Sequence, residues 1–413
     1  MALNIVWVAF IIIAFCIALI KTLFLGDTVI FKTLADGLFD AAKTSVTDVA
    51  FPLVGTMVFF LGIMNIAEKA GAVGWLARKL NPFMKRLFPE VPDGHPAMGE
   101  MVMNFSANLL GLDNAATPFG LKAMQSLQTL NTDKDKATNS QIMFLVLHTS
   151  GLTIIPLSII TYRIAGGSTQ ATSIFIPCVL ATLCTTLASI VVVSFMQKVK
   201  WDMVLIGSLA IMLLFIGGTL FAVASMAEEQ RALFSNIVGN ALLLAIVVAI
   251  ILAGVIKKIS VFDAFMEGAK DGFGVVLKII PYLVGFLVAI RLFRDSGALG
   301  YITDGIAFLL QKTGMNTEFV PSLPVAIMKP FSGSGARGLM LDIFKNPAYG
   351  PDSFVGKVSS IFQGSADTTF YIIALYFGSV GIKKVRHAVW AGLLADAIGV
   401  VAAIFIGYFF FKV

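Results

Sequence analysis

Ile361-Phe362-Gln363-Gly364-Ser365-Ala366-Asp367-Thr368-Thr369-Phe370-Tyr371 places Gln363, Ser365, Asp367, Thr368 and Thr369 at the centre of an otherwise apolar run, Lys357–Phe377. That run is close to the roughly 20 residues that span a hydrocarbon core. A carboxylate at such a depth costs about 3 kcal/mol on insertion scales, so it is retained where it is paired or used. Either the segment is not a membrane span, or Asp367 is paired or serves a function.

Composition decides for the membrane. Of 413 residues, 58% are hydrophobic and 13% charged, and the mean hydropathy is +0.90. A water-soluble chain of this length cannot bury so much apolar surface, whereas a polytopic helical membrane protein requires it. The net charge of +6 is no nucleic-acid footprint, because the Lys and Arg residues flank apolar runs, where they set orientation. Cys16, Cys178 and Cys184 lie inside apolar segments without metal or disulfide spacing, as small buried hydrophobes do. No small-residue cleavage site follows Leu25, so the first apolar run reads as a retained helix.

Apolar runs of spanning length occur at about Asn4–Leu25, Val49–Ile66, Gln141–Tyr162, Thr172–Met196, Met203–Met226, Leu233–Ile256, Phe273–Leu292, Lys357–Phe377 and His387–Phe411. Pro96–Met124 and Pro321–Phe344 are too short and too rich in Gly, Pro, Ser and Asn to span. Irregular backbone at membrane depth is tolerated only within protein or against water, so both are predicted to be re-entrant helical hairpins. Glu68–Phe88 and Arg294–Lys312 read as amphipathic interfacial helices, the first carrying Arg78, Lys79, Lys85 and Arg86 beside Trp75, Leu76, Leu80 and Phe83.

These elements recur in one order. Ala70-Gly71-Ala72-Val73-Gly74-Trp75 aligns with Ser296-Gly297-Ala298-Leu299-Gly300-Tyr301, and Asn104-Phe105-Ser106-Ala107-Asn108 with Pro330-Phe331-Ser332-Gly333-Ser334. After an extra polar linker in the first half, His148–Thr153 aligns with Gln363–Thr368. The fold expected is an all-α polytopic membrane protein with two repeats, each with a re-entrant hairpin and a broken transmembrane helix. With the basic clusters on the cytoplasmic side and a cytoplasmic N-terminus, Val49–Ile66 runs inward and Phe273–Leu292 outward, so the repeats are inverted. The expected division is 1–200, a connecting helix and loop at 201–234, and 235–413.

Four clusters carry the polar chemistry. The first hairpin holds Asn104, Ser106, Asn108, Asp113, Asn114 and Thr117; the second holds Ser332, Ser334 and Arg337. Half-helix ends inside a membrane present unpaired backbone groups and a partial charge to a ligand. Asp113 and Asn114 also suit simple capping. The planar fork of Arg337 suits a carboxylate or phosphate, or an internal partner such as Asp342 or Asp367. In the broken spans, His148, Thr149 and Ser150 precede Pro156, opposite Gln363, Ser365, Asp367, Thr368 and Thr369. His148 either titrates near neutral pH or makes one fixed hydrogen bond. No catalytic set, metal-ligand spacing or cofactor motif is visible, so no enzyme activity, metal or cofactor is expected.

Asn104–Gly120 (NFSANLLGLDNAATPFG) resembles the signature of the spore maturation protein A family. Pro330–Ala336, Gly350–Ser353, Gln363–Tyr371 and Tyr376–Lys384 resemble the spore maturation protein B family. The chain thus looks like a fusion of the two, across about 1–200 and 235–413. Both families carry the nucleoside recognition, or gate, domain, which resembles part of concentrative nucleoside transporters. In those transporters two hairpins and two unwound helices form the substrate site, so the resemblance implies that role for the residues named above. The nucleoside transporters' own residue pattern is absent, and a nucleoside substrate does not follow.

The function expected is secondary transport of a small polar or anionic solute across the inner (cytoplasmic) membrane, with the site between the hairpins. Proton or sodium coupling and a homo-oligomer are expected, and no nucleic-acid partner. The alternative is a membrane scaffold or accessory protein in spore or envelope maturation.

Overall fold

A computed structural model describes residues 2–411; the side chains of residues 2–6, 113–115, 228–229, 278 and 282 lie outside the description. The N-terminal half contains α1 (Ala2–Leu25), α2 (Ile30–Thr44), α3 (Phe51–Lys69), α4 (Ala72–Leu87), α5 (Pro96–Leu109), α6 (Asp113–Leu130), α7 (Asn139–Thr149), α8 (Leu157–Ala165) and α9 (Phe175–Gln197). Then follow α10 (Met203–Ala224), α11 (Glu228–Ile256), α12 (Val261–Asp295), α13 (Ala298–Gln311), α14 (Leu323–Met328), α15 (Gly333–Lys345), α16 (Phe354–Gly364), α17 (Thr369–Ser379) and α18 (Ala388–Phe411). There is no strand among the described residues.

Seven of these stretches are long and apolar enough to cross a membrane: Trp7–Leu25, Ile30–Lys69, Ala171–Gln197, Met203–Ala224, Gln230–Ile256, Val261–Asp295 and Ala388–Phe411. The chain is an all-α, multi-pass membrane protein. The other two runs of spanning length are each interrupted. Gln141–Tyr162 is α7 and α8 with an irregular segment between them, and Lys357–Phe377 lies within α16 and α17 with Ser365–Thr368 unwound. Two spans are longer than their apolar cores. A π-helical turn at Ser45–Ala50 joins α2 to α3, and α12 begins at Val261 with Asp263, Glu267, Lys270 and Asp271 on its first turns.

Local chemistry explains where helices stop. Gly111 (φ 71°) closes α5, with Leu112 N–H on Ala107 O at 2.9 Å and Gly111 N–H on Asn108 O at 2.9 Å, the Schellman pattern that wants Gly at its left-handed residue. Thr138 and Gln141 form a reciprocal capping box at the start of α7. Ser332 caps α15 by accepting from Gly335 N–H at 2.9 Å. Gly71 (φ 82°) and Gly297 (φ 91°), the aligned glycines, both take the left-handed conformation just before α4 and α13.

The chain divides into two compact units, Met1–Leu61 with Ile159–Ala171 and Ala269–Gln363, and Gly62–Ser158 with Thr172–Gly268 and Gly364–Val413. The first contains α1, α2, α13, α14, α15 and most of α16, with a small cluster of Ala18, Ile30 and Leu34 against Leu292. The second has a continuous core running from Met84 and Phe105 through Phe144 and Leu147 to Ile190, Ile372 and Tyr376.

Candidate functional site

In the second unit the two interrupted helices meet. Past Thr149, Gly151 takes φ 61°, and a Cβ there would lie 3.0 Å from Asp367 N and 3.1 Å from the Ala366 carbonyl carbon. Asp367 N–H donates to Thr149 O at 2.8 Å, so the unwound 365–368 segment satisfies a carbonyl freed at the end of α7. Beside this crossing lies the buried ring of His148. Its Nδ1 is 2.8 Å from Asn108 Nδ2, 3.0 Å from Asn104 Oδ1 and 3.3 Å from the Tyr376 hydroxyl. Its Nε2 faces Asp367 Oδ2 at 3.8 Å, ion-pair range but too long for a direct hydrogen bond. The Asp367 side chain is 45% exposed, and its Oδ1 accepts from Thr368 N–H at 3.1 Å.

This set of neighbours accommodates both charge states of the imidazole. Asn104 Nδ2 donates to Ala116 O at 2.7 Å, which turns its Oδ1 toward His148 as an acceptor, while Asn108 offers a donor to the same Nδ1. A neutral ring accepts from Asn108 and points Nε2–H at Asp367. An imidazolium donates from Nδ1 to Asn104 and keeps Nε2–H toward the carboxylate. The asparagine pair thus offers Nδ1 a donor from Asn108 and an acceptor from Asn104, one of which is matched in each charge state while the other faces a like group.

In the first unit, the Ser332-Gly333-Ser334-Gly335 turn opens α15. Gly335 and Gly338 are there for packing: a Cβ at Gly335 would sit 2.8 Å from the Phe286 ring, and one at Gly338 3.2 Å from Ile290. Arg337 stacks over Tyr162, with its guanidinium carbon 4.7 Å from the ring centroid. Neither carboxylate considered for it is its partner, since Asp342 pairs with Arg294 and Asp367 faces His148. Arg337 Nε is buried without a hydrogen bond, and no hydrogen-bond partner holds the rest of the fork among the described residues. Gln363 donates to Gly333 O at 3.3 Å while its Oε1 is also buried and unpartnered. Unmatched buried polar atoms are rare in folded proteins, and two of them occur in this unit's polar region.

The remaining expected residues do local work. Ser106 Oγ bonds Val102 O at 2.7 Å, Thr149 Oγ1 bonds Val146 O at 3.0 Å, and Ser150 Oγ bonds Leu147 O and the Thr186 hydroxyl. Thr369 donates to Asp396 at 2.6 Å, Ser332 and Ser334 hydroxyls are 3.2 Å apart, and Ser365 and Thr368 are buried. Thr117 is half-buried on α6. The side chains of Asp113 and Asn114 lie outside the described residues.

With this geometry in place, comparison with known proteins is informative. The family described as nucleoside recognition (Gate) matches residues 50–169 and 276–383. The chain belongs to the nucleoside recognition family. It is 47% identical over 171 residues to spore maturation protein B of Bacillus subtilis (strain 168), covering 41% of this chain and 93% of that one. It is 38% identical over 189 residues to spore maturation protein A of the same organism, covering 46% of this chain and 92% of that one. Each of these relatives matches part of the chain over nearly its own whole length, the pattern a fusion of the two produces.

Sequence reading missed four participants. Tyr376 looked like one more apolar residue, yet its hydroxyl closes the His148 cluster; a Cβ on Gly120 would lie 1.9 Å from that oxygen, so the two positions are fitted to each other. Asp396 is a second carboxylate within an apolar span, visible in the sequence as the lone acid of α18. Arg163 and Asp352, 189 positions apart, pair at 2.8 Å with the arginine wholly buried. Only the Gly350-Pro351-Asp352-Ser353 motif hinted at the last.

Proposed function

We propose that this membrane protein is a secondary transporter of a small polar or anionic solute, with proton coupling at His148 and Asp367. The observation that carries the reading is the meeting of two unwound helices at an imidazole and a carboxylate whose neighbours serve both charge states. Interrupted helices at membrane depth are where secondary transporters place substrate and coupling ions, and an intramembrane carboxylate is a coupling residue by default. The anionic preference is supported by Arg337, a half-buried guanidinium without an acidic partner beside a serine–glycine turn at the N-terminus of α15. Ser334 and Arg337, both in the first unit, are the proposed solute contacts.

The proposal includes the finer architecture. The segments 1–200 and 235–413 are two gate repeats of opposite topology joined by 201–234, with α5–α6 and α14–α15 as re-entrant hairpins. The N-terminus lies in the cytoplasm, the membrane is the inner one, the protein is a homo-oligomer, and it is not an enzyme. A second reading, a scaffold in spore or envelope maturation without flux, is favoured by the names of the two relatives.

The test is uptake into proteoliposomes holding the purified chain, with nucleosides, amino acids and dicarboxylates offered under imposed proton or sodium gradients. Gradient-driven uptake of an anion, abolished by Asp367→Asn and by Arg337→Ala, is the expected result. Uptake untouched by both substitutions sinks the site assignment. No uptake of any solute, with water unable to reach Asp367, favours the scaffold.

A further inference from the structure

A second polar cavity, of about 460 Å³, lies in the second unit where the end of α4, the start of α7 and the α9–α10 turn come together. That volume is within the roughly 300–1,000 Å³ that ligand clefts occupy. Four cations, Lys85, Arg86, Lys198 and Lys200, and two acids, Glu90 and Asp202, are on its wall. The acids are already engaged. Asp202 pairs with Arg86 at 2.9 Å and caps α10 by accepting from Leu205 N–H at 2.9 Å. Glu90 accepts from Asn139 at 2.9 Å and from Ser140 at 3.4 Å. Lys85 is held by Asp93 at 2.6 Å. Lys198 and Lys200 have no carboxylate partner among the described residues and both are exposed. Hydrogen bonds from neutral groups leave the Glu90 charge in place, so with Lys85 and Arg86 paired the cavity carries two free ammonium groups against one carboxylate and stays net positive.

The chain on either side of the two lysines is apolar and exposed. Between and beside the lining residues, Phe195, Met196, Trp201 and Met203 are exposed, Met203 at 84%. The Phe195 and Trp201 rings lie 5.4 Å apart. Trp at the end of an apolar span sits at headgroup depth, and a basic pocket between helix ends beside it suits an anionic lipid headgroup. A soluble phosphate would need the charge but not the exposed apolar residues next to it in the chain.

We infer that this cavity binds the phosphate headgroup of an anionic phospholipid, with Lys198 and Lys200 on the phosphodiester and the acyl chains along Phe195, Met196, Trp201 and Met203. The site is separate from the residues proposed for transport, so it stands or falls independently of that reading.

Native mass spectrometry of the full chain, extracted from nanodiscs of mixed phosphatidylglycerol and phosphatidylcholine, tests it. Wild-type protein should retain phosphatidylglycerol in preference to phosphatidylcholine. Lys198→Gln/Lys200→Gln should lower that retention roughly thirtyfold, given about 1 kcal/mol for each of the two basic residues near an anionic surface. The single charge reversal Lys200→Glu should also lower it, and Lys257→Gln/Lys258→Gln, an exposed pair outside the cavity, should leave it unchanged. Equal retention in wild type and both cavity variants overturns the site. So does equal loss in the control pair, or displacement of the lipid by millimolar inorganic phosphate, which would make the ligand a soluble anion.

Discussion

Arg163 and Arg337 both belong to the first unit, and their treatment by the fold is opposite. Arg163 is wholly buried and every nitrogen of its fork donates: Nε to Ala171 O at 3.2 Å, Nη1 to Pro351 O at 2.7 Å and Ser360 Oγ at 3.2 Å, and Nη2 to Ser168, Gln170 O and Asp352. Arg337 is half-buried, leans on Tyr162 through its π-face, and has a buried Nε with no acceptor. A guanidinium with all its donors matched ties distant segments of the chain together. One held by stacking alone keeps its in-plane donors for something else. The comparison separates an arginine of the scaffold from an arginine of the site.

The largest expected effect lies on the scaffold side. Arg163→Ala removes the buried cation beside Asp352 and leaves three backbone carbonyls without their donor, so a loss of about 3–5 kcal/mol is expected, read as a lower thermal midpoint in detergent. Arg163→Lys should recover little of it, because a single ammonium cannot reproduce the fork. Substitution without loss of stability would break the comparison.

Next in size is a packing change in the second unit. Gly120→Ala pushes a methyl onto the Tyr376 hydroxyl, with about 1–3 kcal/mol of destabilisation expected. Gly217, which has nothing within 4 Å of an added Cβ, is the control, and Gly217→Ala should be neutral. Equal midpoints for the two variants would show that Tyr376 is loosely seated.

A pH profile sharpens the scaffold arginine's role. Burial pushes the Asp352 carboxyl up, but hydrogen bonds from Ser168 and Thr169 and the charge of Arg163 outweigh it and hold the group below the usual carboxylate value. A depressed folded pKa stabilises the protein above the unfolded value of about 3.9 and is lost as pH falls through the folded one. Wild-type stability should therefore drop on acidification below about pH 4, and Asp352→Asn should flatten that limb while lowering the plateau at neutral pH. An unchanged acid limb would place the carboxylate outside the network.

Sequence alone reaches the helices, the breaks and the polar centres, because each has a local cause. Ser332, Thr138 and Gly111 are capping chemistry within a few residues of the ends they define, and apolar length defines the spans. What escapes is long-range pairing. Nothing near Arg163 announces that its acid lies 189 positions on, and nothing near Arg337 says that Asp342 is taken by Arg294. Tyr376 hides for another reason: an aromatic in an apolar run reads as core, and here one oxygen atom makes the difference. The continuous α2–α3 span eludes hydropathy because its first turns carry Lys32, Asp36, Asp40 and Lys43.

Of the two arginines the smaller stability change belongs to Arg337, and it tests the central claim most directly. Arg337→Gln, which forgoes only a stacking contact worth about 0.5–1 kcal/mol, is to be melted beside wild type and Arg163→Gln in detergent, with and without a panel of dicarboxylates and phosphate monoesters. The account predicts that Arg337→Gln melts close to wild type while an anion that raises the wild-type midpoint no longer raises the variant's. Arg163→Gln should melt far lower. If Arg337→Gln falls as far as Arg163→Gln, or keeps the full anion-induced shift, the two arginines are not different in kind and the site is not where we place it.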